Sequence, residues 1–506
     1  MYQVIKVARS SCRQKTCSTA VVLCCAGDVS GSLVKFFFWL YLLVLVWGGA
    51  TAANNYADPD LWHRLALGEA LWKTGHFPPG DAFSYLSDYK DVIDHEWGSA
   101  VLFYAIYQCG GDSAIVIAKY VALGVTMALL VLAGLRTRSP GVFLAAFYAV
   151  VLLALLPSFA STIRCMIFTH IFFALWLYWF QCERHGRPIP IYFYIGTMIV
   201  WANLHGGFAI GLVWLAAVGI VELVFRGNWK KWAVRFGACS LATLVNPFGP
   251  QLWVSTGRAL LTPRIGFHEW EPVSWWPDVI SYPGYKLLLP GLIIALIIKG
   301  YRHGWTRIDW PIVILIGVFA TVCIPARNTS LFALVAGALA PGLFSGEVSL
   351  LTIADPLTRL GHSAVRSSLI LIPFFCVLIG LPGDGLQLRY GSSSCPVQAV
   401  DYLQIRKVRG NLLVPFNYGS YALWELRGQM RVSMDGRYDL VYLPKTYRRV
   451  DDFFSAHGDW PSLLTSPAPN AILVPIVDPV FPKLQAEPGW KEVYHDDTDA
   501  VFLPRG

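Results

Sequence analysis

Blocks of Leu, Ile, Val, Phe and Ala, each close to the roughly 20 residues needed to cross a hydrocarbon core as a helix, recur along most of this chain. They constrain it more than any other feature. The blocks are continuous rather than alternating, so the backbone groups inside them must be satisfied within helices. Of the 506 residues 55% are hydrophobic and only 14% charged, more apolar sequence than a water-soluble core requires. The reading is a polytopic α-helical membrane protein of about eleven transmembrane helices: Val34–Ala52, Ser113–Leu135, Gly141–Phe159, Met166–Gln181, Ile189–Leu204, Phe208–Phe225, Val234–Pro247, Tyr285–Lys299, Trp310–Ile324, Thr329–Phe344 and Ser368–Leu381.

Cationic residues sort the connecting segments into two sets. Lys6, Arg9, Arg13 and Lys15 precede the first block, and alternate loops carry Arg136 and Arg138, Arg184 and Arg187, Arg226 with Lys230, Lys231 and Arg235, Lys299 with Arg302 and Arg307, and Arg359 with Arg366. The positive-inside rule makes these cytoplasmic. The remaining loops and the tail after Gly383 then face the periplasm or an equivalent outer space, and a bacterial inner membrane is the expected location. A net charge of +8 reflects this anchoring; no sustained basic stripe points to nucleic acid. The cysteines show neither metal-type spacing nor a disulfide framework.

Composition changes near Pro382. Residues 1–33 read as a cytoplasmic lead-in, 34–381 as the membrane domain with a large first outer loop at 53–112, and 382–506 as a small outer-facing α/β domain. Its strands are expected at Asn411–Phe416, Arg431–Met434, Ala471–Pro475, Glu492–His495 and Ala500–Leu503, and its helices at Tyr418–Arg427 and Tyr447–Ala456. In the first outer loop, Leu61, Leu65, Ala66, Ala70 and Leu71 have helical spacing, with Trp62 and Trp72 suited to a membrane interface. This predicts a helix lying along the membrane surface and ended by Gly75-His76-Phe77-Pro78-Pro79-Gly80. Gly98–Cys109 is expected to form a second interfacial helix.

Polar residues beside apolar blocks cost free energy unless they are paired, solvated or useful. On the expected topology, nearly all the unusual ones reach the outer side: Asp58 and Asp60, His95 and Glu96, Arg164, Asn203 and His205, Asn246, Glu269 and Glu271, and Arg327 with Asn328. Plain structural roles stand beside functional ones. Asp58 and Asp60 suit a helix N-cap, Asp94 to Glu96 suit the cap of the next helix, Asn203 and His205 suit interhelical hydrogen bonding, and the arginines suit lipid headgroups.

Taken together, Asp58-Pro59-Asp60-Leu61-Trp62-His63, Asp94-His95-Glu96-Trp97, Trp201-Ala202-Asn203-Leu204-His205-Gly206-Gly207 and Asp435-Gly436-Arg437 resemble the GT-C superfamily of membrane glycosyltransferases. The protein O-mannosyltransferase and lipid A aminoarabinose transferase types are examples, as is a related group of bacterial membrane proteins. The resemblance implies transfer of a sugar from a polyprenyl-phosphate donor to a glycan, lipid or protein acceptor at the outer face. It implies an Asp general base, Asp58 or Asp60, and inversion at the anomeric carbon. Substrate contacts would come from His95, Glu96, Arg164, Asn203, His205, Glu269, Arg327 and Asn328. One departure stands out: a proline separates the two acids that are adjacent in the mannosyltransferase branch, which leaves open which one is the base.

The resemblance implies that no cofactor is needed, as in many members of the superfamily, although a divalent metal held among Asp58, Asp60, His95, Glu96 and Glu269 is the alternative. Two other classes compete with an enzyme. A lipid-linked glycan transporter would carry ionisable groups at mid-span, and a non-catalytic assembly component would bind glycan through its tail. The pair Asp435 and Arg437 reads as a local ion pair around a glycine turn, with carbohydrate contact by Asp435, Arg437 or Tyr438 as the alternative.

Overall fold

A computed structural model describes residues 55–89, 92–137, 141–159, 163–261, 268–276, 281–322, 325–344 and 386–505. The expected spans at Val34–Ala52 and Ser368–Leu381 and the N-terminal lead-in lie outside these residues. In chain order the helices of the body are α1 (Pro59–Thr74), α2 (Trp97–Gly134), α3 (Gly141–Leu155), α4 (Met166–Arg184), α5 (Ile191–Leu204), α6 (Phe208–Phe225), α7 (Lys230–Ala242), α8 (Gln251–Leu261), α9 (Pro283–His303), α10 (Trp310–Val322) and α11 (Thr329–Leu343). Among the described residues α2, α6 and α9 are long and apolar enough to cross a membrane, and shorter apolar stretches occupy α3, α5 and α10. The protein is a helical membrane protein.

The first outer loop departs from expectation in one way. The predicted helix is α1, started by Asp58, whose side chain accepts the Asp60 backbone N–H at 2.9 Å, with Pro59 in its first turn. Gly75 stops it at φ 73°, a left-handed conformation that favours glycine. Trp62, expected at a membrane interface, is instead buried within the protein. Leu61, Trp62, His63, Arg64 and Leu65 are all buried, and Trp62 stacks on Tyr390 with ring centroids 5.5 Å apart. The helix is buried because α2 packs on one side of it and the C-terminal region on the other. Gly68 allows the close approach to α2, since a Cβ there would lie 2.1 Å from the Ala100 carbonyl oxygen.

The expected helix at Gly98–Cys109 forms the first part of α2, and Gly110 and Gly111, both with non-helical backbone angles, break it from the span that follows. Gly111, at φ 56° and ψ −140°, takes a conformation that side-chain-bearing residues avoid, which locates the kink.

The C-terminal region contains α12 (Val397–Ile405), β1 (Gly410–Leu413), α13 (Phe416–Glu425), β2 (Met430–Val432), α14 (Pro444–Phe454), β3 (Ala471–Pro475), α15 (Phe481–Ala486), β4 (Trp490–His495) and β5 (Asp499–Pro504). The strands form one sheet in the order β2-β1-β3-β5-β4, parallel from β2 to β3 and antiparallel beyond. Its exposed edge is used. Backbone hydrogen bonds join Tyr85 N–H to the Val432 carbonyl at 3.1 Å and Val432 N–H to the Phe83 carbonyl at 3.0 Å, so the first outer loop extends the sheet beside β2. Ala57 and Arg389 are joined in the same way, at 2.8 Å. One hydrophobic cluster runs from α1 and the membrane helices into β1, β2 and α13, which ties the tail to the body.

Chain direction separates two ends of the helix bundle. Helix α4 begins beside Arg164 and ends at Arg184, and α6 begins beside His205 and ends beside Arg226. Near those far ends Arg184 pairs with Asp309 at 2.5 Å, and Arg235 and Lys231 pair with Glu183 at 2.6 and 3.1 Å. The 18 residues of α6 put the two charged ends about 27 Å apart.

Candidate active site

Seven segments remote in sequence meet at the end of the bundle opposite the cationic cluster. They are the start of α1, the start of α2, the segment before α4, the junction of α5 and α6, the two short turns at 268–270 and 326–328, and the turn at 435–440. They enclose a cavity of about 240 Å3 lined by Asp60, Arg64, His95, Glu96, His205, Trp270, Arg327, Asn328 and residues 436–440, among others. Two smaller hollows, of about 40 and 50 Å3, adjoin it and share Met166 and Arg327 with it. Arg164 lines both of these hollows, and Glu269 lines the second. Concave polar sites of this kind are where ligand chemistry concentrates.

The two aspartates have different surroundings. Asp58 is buried; one oxygen caps α1 and the other accepts the guanidinium Nε–H of Arg164. Asp60 turns to the cavity wall. Burial, followed by the charge of Asp58, pushes Asp60 up to about 7, and Arg164 and Arg64 only partly offset this. A carboxyl group of that kind can take up and release a proton near neutrality. Gly436 packs directly against it: a Cβ there would lie 2.5 Å from Asp60 Oδ1 and 3.0 Å from Ser420 Oγ. Gly436 is thus held to glycine by close approach. Its N–H donates to Ser420 Oγ at 2.9 Å, and the same hydroxyl lies 3.2 Å from His63 Nδ1. Burial and the nearby Arg64 lower His63 to about 3, which keeps that ring neutral.

In the same cavity lining a charge network surrounds Glu96. Arg64 donates to Asp94 and, at 2.5 Å, to Glu96. Burial would raise Glu96, but Arg64 with His205 and His95 outweighs it and holds the carboxyl well below its usual range. His205 Nδ1 accepts the Gly207 N–H at 2.9 Å and lies 2.6 Å from Thr169 Oγ1, whose own acceptor capacity takes the Trp201 indole N–H at 3.0 Å. The proton therefore sits on Nε2, 3.3 Å from Glu96 Oε1. Burial lowers His205 to about 4, so the ring is a neutral donor. His95 lies against Gly206, where a Cβ would come within 2.8 Å of its ring.

Glu269 bridges two cations, accepting from Arg164 and from Arg327 at 2.8 Å each. Burial raises it, but the two guanidinium groups outweigh that and lower it below its usual range. Ala326 N–H donates to the Glu271 carbonyl at 2.9 Å, which locks the turn bearing Arg327 onto the turn bearing Glu269. The Arg327 guanidinium also lies 5.1 Å from the centre of the Trp270 ring.

The structure thus gathers Asp60, His95, Glu96, His205, Arg327 and Asn328 around one cavity, with Arg164 and Glu269 in the adjoining hollows. Asn203 is not among them. Its carbonyl accepts the Trp97 indole N–H at 3.1 Å, and its amide donates to the Ile199 and Val245 carbonyls at 2.8 Å each. These bonds tie Asn203 to its own helix, to α2 and to the end of the segment after α7, and it does not line the cavity. Asp435 and Arg437 form a close pair, at 2.6 and 2.8 Å, and Asp81 joins it at 3.1 Å. Arg64 was not singled out in the sequence; a lone arginine inside an apparently amphipathic helix carries no signal of burial. For a divalent metal, the carboxylates Asp58, Glu96 and Glu269 already face arginines, and among the described residues no three His, Cys, Asp or Glu side chains gather as ligands.

No protein-family model and no curated protein matches the sequence. Solved structures do match. Arabinofuranosyltransferase AftD from mycobacteria aligns with a TM-score of 0.52 at 12% identity, over 93% of this chain. The chain spans only 40% of that protein's length. ArnT from Cupriavidus metallidurans in the apo state aligns with a TM-score of 0.51 at 14% identity, over 94% of this chain and 98% of the other. At these identities the likeness is one of architecture alone.

Proposed function

We propose that this fold transfers a sugar from a polyprenyl-phosphate donor to an acceptor hydroxyl at the outer face of a bacterial inner membrane. The observation that carries the reading is Asp60: a carboxylate poised near neutrality, on the wall of a cavity whose adjoining hollows hold Arg164 and Arg327. The opposite position of the cationic cluster supports an outward-facing site. Catalytic assignments follow from chemistry. Ionised Asp60 removes the acceptor proton while the acceptor oxygen forms its bond to the anomeric carbon, and the bond from that carbon to the lipid phosphate oxygen breaks with its electron pair. The anomeric centre inverts, because a single displacement needs no second carboxylate as nucleophile. Arg327 and Arg164 meet the departing phosphate, whose charge competes with Glu269 for them. The neutral His205 holds Glu96 in place, and Glu96 pairs with Arg64, one turn along α1 from Asp60.

Asp58 takes no part in proton transfer on this reading; it fixes the first turn of α1 and orients Arg164. Purified protein in lipid nanodiscs tests the proposal with polyprenyl-phosphate mannose, glucose and arabinose as donors. Release of polyprenyl phosphate from one of them, lost on Asp60→Asn in a folded protein, is the expected outcome. No release from any donor by the native protein would overturn it.

A further inference from the structure

A second cavity, of about 390 Å3, opens in the C-terminal region between α13, α14 and the end of β3. Its volume falls within the range of small-molecule sites. The lining combines the aromatic rings of Phe416 and Tyr447 with the polar groups of Asn417, Asp451 and Asp478, and among the described residues no lysine, arginine or histidine contributes to it. That is the reverse of the first cavity, where Arg64, Arg327 and Arg437 line the wall. The two are neighbours through one aromatic cluster. Tyr438 lines the first cavity, and its ring centroid lies 5.9 Å from Phe416 and 5.2 Å from Tyr447, both of which line the second. Tyr438 holds φ 38°, a conformation a bulky residue adopts only where the surroundings over-determine it.

We propose that this second cavity binds an uncharged oligosaccharide, with its sugar rings on Phe416 and Tyr447 and its hydroxyls on Asp451, Asp478 and Asn417. Ring faces carry partial negative charge and attract the C–H face of a pyranose. Carboxylates accept sugar hydroxyls in charge-assisted hydrogen bonds, about twice as strong as neutral ones. Burial, with the charges of Asp499 and Asp451, pushes Asp478 up to about 6, above the usual carboxylate range. With no cation in the lining, an anionic polymer is repelled rather than held. Calling the cavity the acceptor's subsite rests on the proposed transfer, with the acceptor's end reaching Asp60 past Tyr438; saccharide binding itself does not.

The test uses the full chain in nanodiscs, with chitotetraose, maltotetraose, tetragalacturonate and tetra-alanine as probes read by saturation-transfer NMR and calorimetry. At least one neutral tetrasaccharide should bind, tetragalacturonate at least tenfold more weakly, and tetra-alanine not detectably. Tyr447→Ala and Asp451→Asn should each weaken the neutral probe at least fivefold. Asp451 is exposed, so its variant keeps the test valid if Tyr447→Ala does not fold. Asp60→Asn should bind as the native chain does, which separates this inference from the transfer reading. The inference is overturned if neither neutral tetrasaccharide binds, if binding survives Asp451→Asn, or if tetragalacturonate or tetra-alanine binds as tightly.

Discussion

Replacing Asp60 by Asn removes the carboxylate while nearly preserving its shape. A positioned general base contributes on the order of 10^2 to 10^4 in rate, or about 2.7–5.5 kcal/mol of barrier, and the variant should lose at least the lower figure in kcat. The native protein should also report this group in its pH profile. With Asp60 near 7, its ionised fraction falls about tenfold for each pH unit below that value, so transfer should rise with pH through about 7 and then level off. Stability should move the other way. The folded protein holds this proton more tightly than the unfolded chain, whose carboxyl titrates near 3.8, so the contribution is full below about pH 4 and is lost as pH rises to about 7. The loss is at most about 4 kcal/mol. Asp60→Asn, which cannot ionise, should therefore melt higher than the native protein at pH 8 while being inactive. Thermal melts in nanodiscs at pH 5 and pH 8, beside a transfer assay across pH 5–9, check both halves. A flat profile between pH 5.5 and 8, or a folded Asp60→Asn retaining transfer within about threefold, would refute the reasoning.

Further outcomes follow from the same geometry. Asp58→Ala should lower the melting temperature, because a buried ion pair with Arg164 and a helix cap are lost together; a broken buried pair costs about 3–5 kcal/mol and a cap alone about 0.5–2 kcal/mol. Differential scanning fluorimetry reads this. Arg327→Ala should raise the KM for donor at least tenfold, and Arg327→Lys should not restore it, since an ammonium lacks the planar pair of donors; steady-state kinetics against donor concentration decides. Gly436→Ala should reduce transfer at least tenfold, because the new methyl group would have to share space with Asp60 Oδ1 at 2.5 Å. Melting of this variant near the native temperature would show that the loss is local.

Much of the architecture was open to sequence reasoning because it depends on local patterns. The apolar blocks announce their helices, and the C-terminal strands follow their β-branched and apolar runs to within a few residues. What depends on distant partners was not. Nothing near Trp62 tells that Tyr390 and Tyr421 will cover it, so it reads as an interface residue although it is buried. Arg64 has the same history: its partners Asp94 and Glu96 lie 30 and 32 residues on, and its burial depends on the tail closing over α1. For Asn203, polarity at a helix end signals that a hydrogen bond is needed but not whether a carbonyl or a substrate supplies it. Asp58 and Asp60 stood out as a pair, and only their neighbours distinguish them. One faces a cap and a guanidinium, the other a cavity and a glycine.

The most direct test is a cryo-EM structure of the native chain in nanodiscs with a saturating polyprenyl phosphate. The account predicts the phosphate within hydrogen-bonding distance of Arg327 or Arg164, displacing Glu269, with Asp60 facing the open side where the anomeric carbon would sit. A phosphate bound elsewhere, with the Arg164, Glu269 and Arg327 contacts intact, would contradict it.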